Sequence, residues 1–108
     1  MNNPKTYSEF WPFYLNEHKL KLNRQLHFAG TTLGLLIVFF SVVTQHFEGI
    51  LGALVAAYAF AWVGHFIFEK NRPATFKYPV WSFISDFKMW AFTVSGKLDG
   101  ELKKYQVL

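Results

Sequence analysis

At 108 residues the chain holds one domain, 1–108, and its 52% hydrophobic and 20% aromatic content is more apolar surface than a soluble fold of this size readily buries. The net charge of +4 sits in Lys and Arg clusters beside apolar runs, which suits an anionic membrane surface and argues against a nucleic-acid partner. With no cysteine, the chain excludes a disulfide framework, an iron–sulfur cluster and a thiolate metal site.

In chain order, Met1–Lys5 reads as a polar tail. No cleavable signal peptide is expected, because residues 1–25 carry no uninterrupted apolar run. Thr6 or Ser8 can cap a helix, with Glu9 at the third position after Thr6. Tyr7, Phe10, Trp11 and Tyr14 follow the helical period on to His18 and predict an amphipathic helix. Its aromatic side suits headgroup depth or the face of a bundle. Pro12 fits the first turn of a helix, so the regular helix is expected to begin close to it. A polar block runs from Glu17 to Arg24.

Leu26–Val43 and Ile50–Phe68 are each long enough to span a bilayer, and Thr44–Gly49 reads as the loop between them. Small residues in the second run, Gly52, Ala53, Ala56 and Ala57 among them, permit close helix approach. They read as lipid-compatible packing rather than as a dimer motif. Lys19, Lys21 and Arg24 precede the first span, and Lys70, Arg72 and Lys77 come after the second. The loop holds neither Lys nor Arg, so both termini are expected in the cytoplasm. After Pro79, the aromatic segment Val80–Phe92 carries Asp86 and Lys88, too short and too charged for a lipid-exposed span. It predicts a helix in the bundle or at the interface. Gly96 and Gly100 are expected to break the chain beyond it, before a basic tail at Lys103 and Lys104. The fold expected is all-α: a membrane helical hairpin, an N-terminal amphipathic helix and a C-terminal aromatic helix.

The chemistry concentrates in Trp62–Pro73, where His65 and Glu69 share one helix face, one turn apart. Two readings fit this pair: a metal site, or a buried His–Glu hydrogen bond that tightens packing. Axial distance favours the first. His27 lies about 19 residues before the loop and His65 about 17 after it, at ~1.5 Å per residue. An antiparallel hairpin therefore brings them to one level near the basic edge of the bilayer. His18 lies on that side too, whereas His46 falls in the loop and is assigned no metal role. In one unbroken helix His18 and His27 would stand about 180° and ~13 Å apart. A shared ion requires a bend, expected around Asn16 or Asn23.

One set of residues resembles a known family. The set is Glu17-His18, Asn23-Arg24, His27 with Gly30, Gly64-His65, Phe68-Glu69, Asn71-Arg72-Pro73-Ala74, and Pro79-Val80-Trp81 with Ser85-Asp86. It resembles a family of small membrane proteins, long catalogued as a domain of unknown function, whose characterised fungal member is an Fe(II)-dependent dioxygenase of 2-hydroxy fatty acids. The resemblance covers nearly the whole chain. It implies α-oxidation: a 2-hydroxy fatty acid and O2 give CO2 and a fatty acid one carbon shorter, in breakdown of the phytosphingosine chain. It also implies iron at His18, His27 and His65. Imidazole and carboxylate donors suit non-haem Fe(II), and zinc fits the same donors. Glu69 and Asp86 are candidates to complete the shell or to orient a histidine. Asp86 has a plainer role in an ion pair with Lys88 or an arginine. Arg24 or Arg72 can clamp the substrate carboxylate, and each has a plainer role on lipid phosphates. The acyl chain is expected between the helices, along Phe and Leu side chains. The partners implied are the 2-hydroxy acid, O2 and membrane lipids, with a homo-oligomer left open. The alternative is a non-catalytic scaffold or lipid-binding protein whose polar layer only specifies packing.

Overall fold

The computed structural model describes residues 3–108, so Met1 and Asn2 of the expected tail lie outside the described residues. These residues form α1 (Tyr7–Asn16), α2 (Lys21–Val43), α3 (Gly49–Trp62), α4 (Pro79–Val94) and α5 (Leu98–Lys104). A π-helical turn, Val63–Glu69, continues α3, and a 3₁₀ turn, Ala74–Phe76, leads into α4. No strand occurs among the described residues. The chain is all-α.

Thr6 caps α1 by accepting from the Glu9 N–H at 3.3 Å. Glu9 reaches back to the Lys5 N–H, at 3.0 Å, instead of closing a box on Thr6. Pro12 lies inside α1 and not at its start, which corrects the expected boundary. A mid-helix proline costs about 3 kcal/mol. Burial of Phe10, Trp11, Tyr14 and Leu15 outweighs it, at ~1.5–3 kcal/mol for each large side chain.

The hairpin forms as hydropathy predicts, with wider bounds. The polar residues Lys21–Arg24 belong to α2, and Lys21–Val43 and Gly49–Glu69 are both long and apolar enough to cross a membrane. Small residues let the two helices come close. A Cβ on Gly30 would lie 2.7 Å from the Phe60 Cβ and 2.9 Å from the Ala57 carbonyl oxygen. Ala53 and Ala61 are buried, whereas Gly52 faces open space, so only part of the small-residue run serves close approach. The outer faces present Phe39, Val43, Leu51 and Val55.

A second body of packing caps the basic end of the hairpin. Phe10, Trp11, Tyr14 and Leu15 of α1 meet Ala74, Met89, Leu98 and Leu102 in one apolar cluster. Pro79 opens α4 in its first turn, where its missing N–H costs nothing. Two indoles pin the cap: Trp90 donates to the Thr32 hydroxyl and Trp11 to the Glu101 carboxylate, both at 2.9 Å. Gly96, at φ 74°, ends α4. Gly100 does not break the chain as expected but sits inside α5.

Candidate metal centre

Three imidazoles meet where the cap joins the hairpin. Their ring centroids stand 4.4 Å apart for His18 and His27, 4.6 Å for His18 and His65, and 4.9 Å for His27 and His65. One ligand nitrogen from each lies within 4.8 Å of the others, and all three residues are buried. His27 and His65 thus stand at one level of the hairpin. The bend that brings His18 to them falls at residues 17–20, between α1 and α2, directly after Asn16.

Each ring is held from behind. His18 Nδ1 donates to the Tyr14 carbonyl at 2.6 Å, and His27 Nδ1 to the Asn23 carbonyl at 3.0 Å. His65 Nδ1 donates to the Asn71 side-chain oxygen at 2.7 Å. With its proton on Nδ1, a neutral imidazole turns a bare lone pair inward from Nε2. Two such nitrogens, on His18 and His27, face each other at 3.1 Å. Lone pairs at that distance call for a shared proton or a cation between them. Metal–nitrogen bonds of ~2.0–2.1 Å place neighbouring ligand nitrogens about 3 Å apart, so the spacing of His18 and His27 fits an ion, with a nitrogen of His65 within 4.8 Å of both. The histidines border a cavity of about 10 Å³, room for one ion or one water. Burial first, then the neighbouring His27 and His65, push His18 well below the ordinary imidazole range and keep it a neutral donor.

The π turn places His65. Lys70 closes it in the left-handed region at φ 60°, and the Asn71 N–H returns to the His65 carbonyl at 3.0 Å. The Asn71 amide also donates to the Glu17 carbonyl at 3.0 Å, tying the end of α3 to the turn that carries His18. Gly64 permits the approach of α2, because a Cβ there would lie 2.0 Å from Asn23 Oδ1.

The other candidates are placed elsewhere. Glu69 does not join the histidines: its carboxylate accepts from the Leu20 N–H at 3.0 Å and the Asn23 amide at 3.2 Å. Those two donors at the start of α2 are nearer partners than the ion site. Asp86 accepts from the Tyr14 hydroxyl at 2.5 Å, and the Tyr14 ring lies tilted by 33° against His18 with centroids 4.2 Å apart. Asp86 thus borders the cavity but is not among the three grouped donors. Burial raises its carboxyl to about 7, against the lowering effect of the Tyr14 bond. Its expected ion pair with Lys88 does not form; Lys88 lies over the Tyr7 and Trp11 rings instead. Arg24 donates to the His18 and Lys19 carbonyls at 2.8 and 2.7 Å, so it holds the bend and does not face the cavity. Arg72 is exposed.

A family model described as Mpo1-like, 2-hydroxy-palmitic acid dioxygenase, matches residues 4–98. The chain belongs to this family. No curated protein and no solved structure matches it. For an Mpo1-like chain, sequence reasoning missed two site residues. Asn71 stood out only as part of the family pattern, though an Asn directly past a helix end is positioned to fold back on that helix. Ser82 did not stand out at all. The residue is 1% exposed and borders the histidine cavity, and its buried hydroxyl has no partner. Its signal was the small, polar spacing of Ser82 and Ser85 on one face of α4.

Proposed function

We propose that this protein is a membrane-embedded, Fe(II)-dependent dioxygenase of 2-hydroxy fatty acids, with His18, His27 and His65 as the iron ligands. The observation that carries the reading is the set of three buried imidazoles, each fixed through Nδ1 and turned inward at Nε2. The donor set alone suits zinc as well as iron, and family membership favours iron. Bound iron would supply the activation of O2 that converts a 2-hydroxy acid to CO2, a fatty acid one carbon shorter and water.

The chain's own residues prepare that chemistry. Tyr14, Asn23 and Asn71 fix the ring planes and tautomers. The apolar cap over α1 and α4 excludes water from the site. Three neutral ligands leave coordination positions for the adjacent hydroxyl and carboxylate oxygens of the substrate. The Ser82 hydroxyl, free of other partners, is placed to donate to one of them. Asp86, hydrogen-bonded to Tyr14, stands at the cavity wall to take up the proton of the 2-hydroxyl group. The Lys and Arg clusters favour a hairpin with both termini in the cytoplasm.

A purely structural polar layer is the second reading, favoured by the 3.1 Å contact of His18 and His27, which one shared proton would satisfy. Metal analysis and turnover of 2-hydroxypalmitate decide between them. The purified protein is expected to bind about one iron per chain and to release CO2 with consumption of O2. Folded protein that binds no metal and turns over no 2-hydroxy acid leaves the structural reading standing.

A further inference from the structure

A groove of about 190 Å³ runs along the hairpin where α4 packs against it. His27 and Asp86 form its polar end, and both also border the histidine cavity. Leu35 and Leu54 flank its middle, and Val38 and Ile50 form its far end, toward the loop. From His27 to Val38, α2 rises by about 16 Å at ~1.5 Å per residue. One leaflet of a ~30 Å hydrocarbon core is about 15 Å deep. Ile50 is the second residue of α3, and its neighbour Gly49 packs on Ser41, so the groove reaches from headgroup level past the bilayer midplane toward the loop. Ile50 and Leu54 are 37% and 41% exposed, so the groove is open sideways, toward lipid.

We propose that this groove is an acyl-chain ruler: it takes the substrate tail laterally from the bilayer, and Val38 with Ile50 sets the longest tail that seats with its head at the histidines. The head rests on the 2-hydroxy acid reading above; the tail rests on the groove alone. A methylene gains little by moving from the bilayer to the groove, because both are apolar. Length is therefore selected by contact at the far end, where an overlong tail lifts the head out of register.

The chain contains no cysteine, so one introduced thiol reports only its own position. Thr31, one turn from His27, lines the near part of the groove, and Val38 lines the far end. Full-length Thr31→Cys and Val38→Cys proteins in dodecyl maltoside are labelled with a maleimide. 2-Hydroxypalmitate is expected to protect both thiols, and 2-hydroxyoctanoate only the one at position 31. Val38→Trp is expected to weaken 2-hydroxypalmitate binding by about tenfold or more, as overpacking does, and to leave 2-hydroxyoctanoate unchanged. Ile50→Cys, on the facing helix, repeats the measurement should Val38→Cys fail to fold. Protection of the far thiol by both acids, or by neither, overturns the ruler. So does a far thiol already shielded before any acid is added, since a lipid tail or a second copy of the chain then fills the groove. Turnover by the iron-loaded protein is read separately. Length-dependent protection without turnover removes the proposed activity and keeps the ruler, and turnover without such protection does the reverse.

Discussion

The two ends of the hairpin both carry histidine, in opposite settings. At the loop end His46 is 74% exposed and meets only Glu48, at 3.4 Å. Solvent screens such a pair, and it contributes little. At the basic end His18, His27 and His65 are almost fully buried, and each has a fixed partner behind Nδ1. Residue type is the same at both ends. Burial and a committed second nitrogen make the difference, because they fix which lone pair is free and where it points.

Six alanine substitutions, in four tests, break or sharpen this contrast. The largest effect is expected from replacing any one of His18, His27 or His65 by Ala. Iron binding should drop by more than the ~10- to 100-fold typical of lost outer partners, and turnover should vanish. Metal analysis and O2 uptake read both, and a His65→Ala protein that keeps its iron and its activity removes the centre from this place. Next comes Asn71→Ala, which leaves the His65 ring free to turn. Metal affinity is expected to fall about 10- to 100-fold while the hairpin stays intact; competition with a chelator measures it, and wild-type affinity would mean that Asn71 orients nothing. Glu69→Ala should act on stability instead. Losing its bonds to Leu20 and Asn23 is expected to cost about 0.5–2 kcal/mol, as a lost cap does, with metal content unchanged. Thermal melting and metal analysis separate the two effects, and loss of iron would place Glu69 on the ion after all. His46→Ala is expected to change neither metal content nor turnover; a drop in either in the same assays would mean that the loop lies closer to the centre than a membrane thickness.

Much of this contrast is legible in the residues alone. Crossing a membrane demands long apolar runs, so hydropathy locates the two helices long and apolar enough to do so. Equal axial distances from the loop predict that His27 and His65 share a level, and the rotation between His18 and His27 requires the bend found at residues 17–20. The π turn is not legible, because seven residues, VGHFIFE, are too few for a period that separates one helix type from another. Pro12 misleads because aromatic burial overrides a local rule that knows only the backbone. What holds Glu69 and Asp86 is hidden for a related reason. The sequence shows carboxylates near histidines in register, but not the Leu20 amide and the Tyr14 hydroxyl that compete for them.

The three histidines belong to pieces of chain that only packing and a few hydrogen bonds otherwise hold together: the turn after α1, α2 itself and the π turn that continues α3. An ion shared by them would close a covalent-like loop from residue 18 to residue 65, in a chain with no cysteine to close one. Loop closure restricts the unfolded ensemble, and its effect grows only slowly with loop length. The centre would then serve this protein as a disulfide serves a small secreted domain, with the clasp undone by a chelator instead of a reductant. Chelation would loosen the turn after α1 against the hairpin, where the bonds of Asn71 to Glu17 and of Trp90 to Thr32 remain, and leave the two long helices paired.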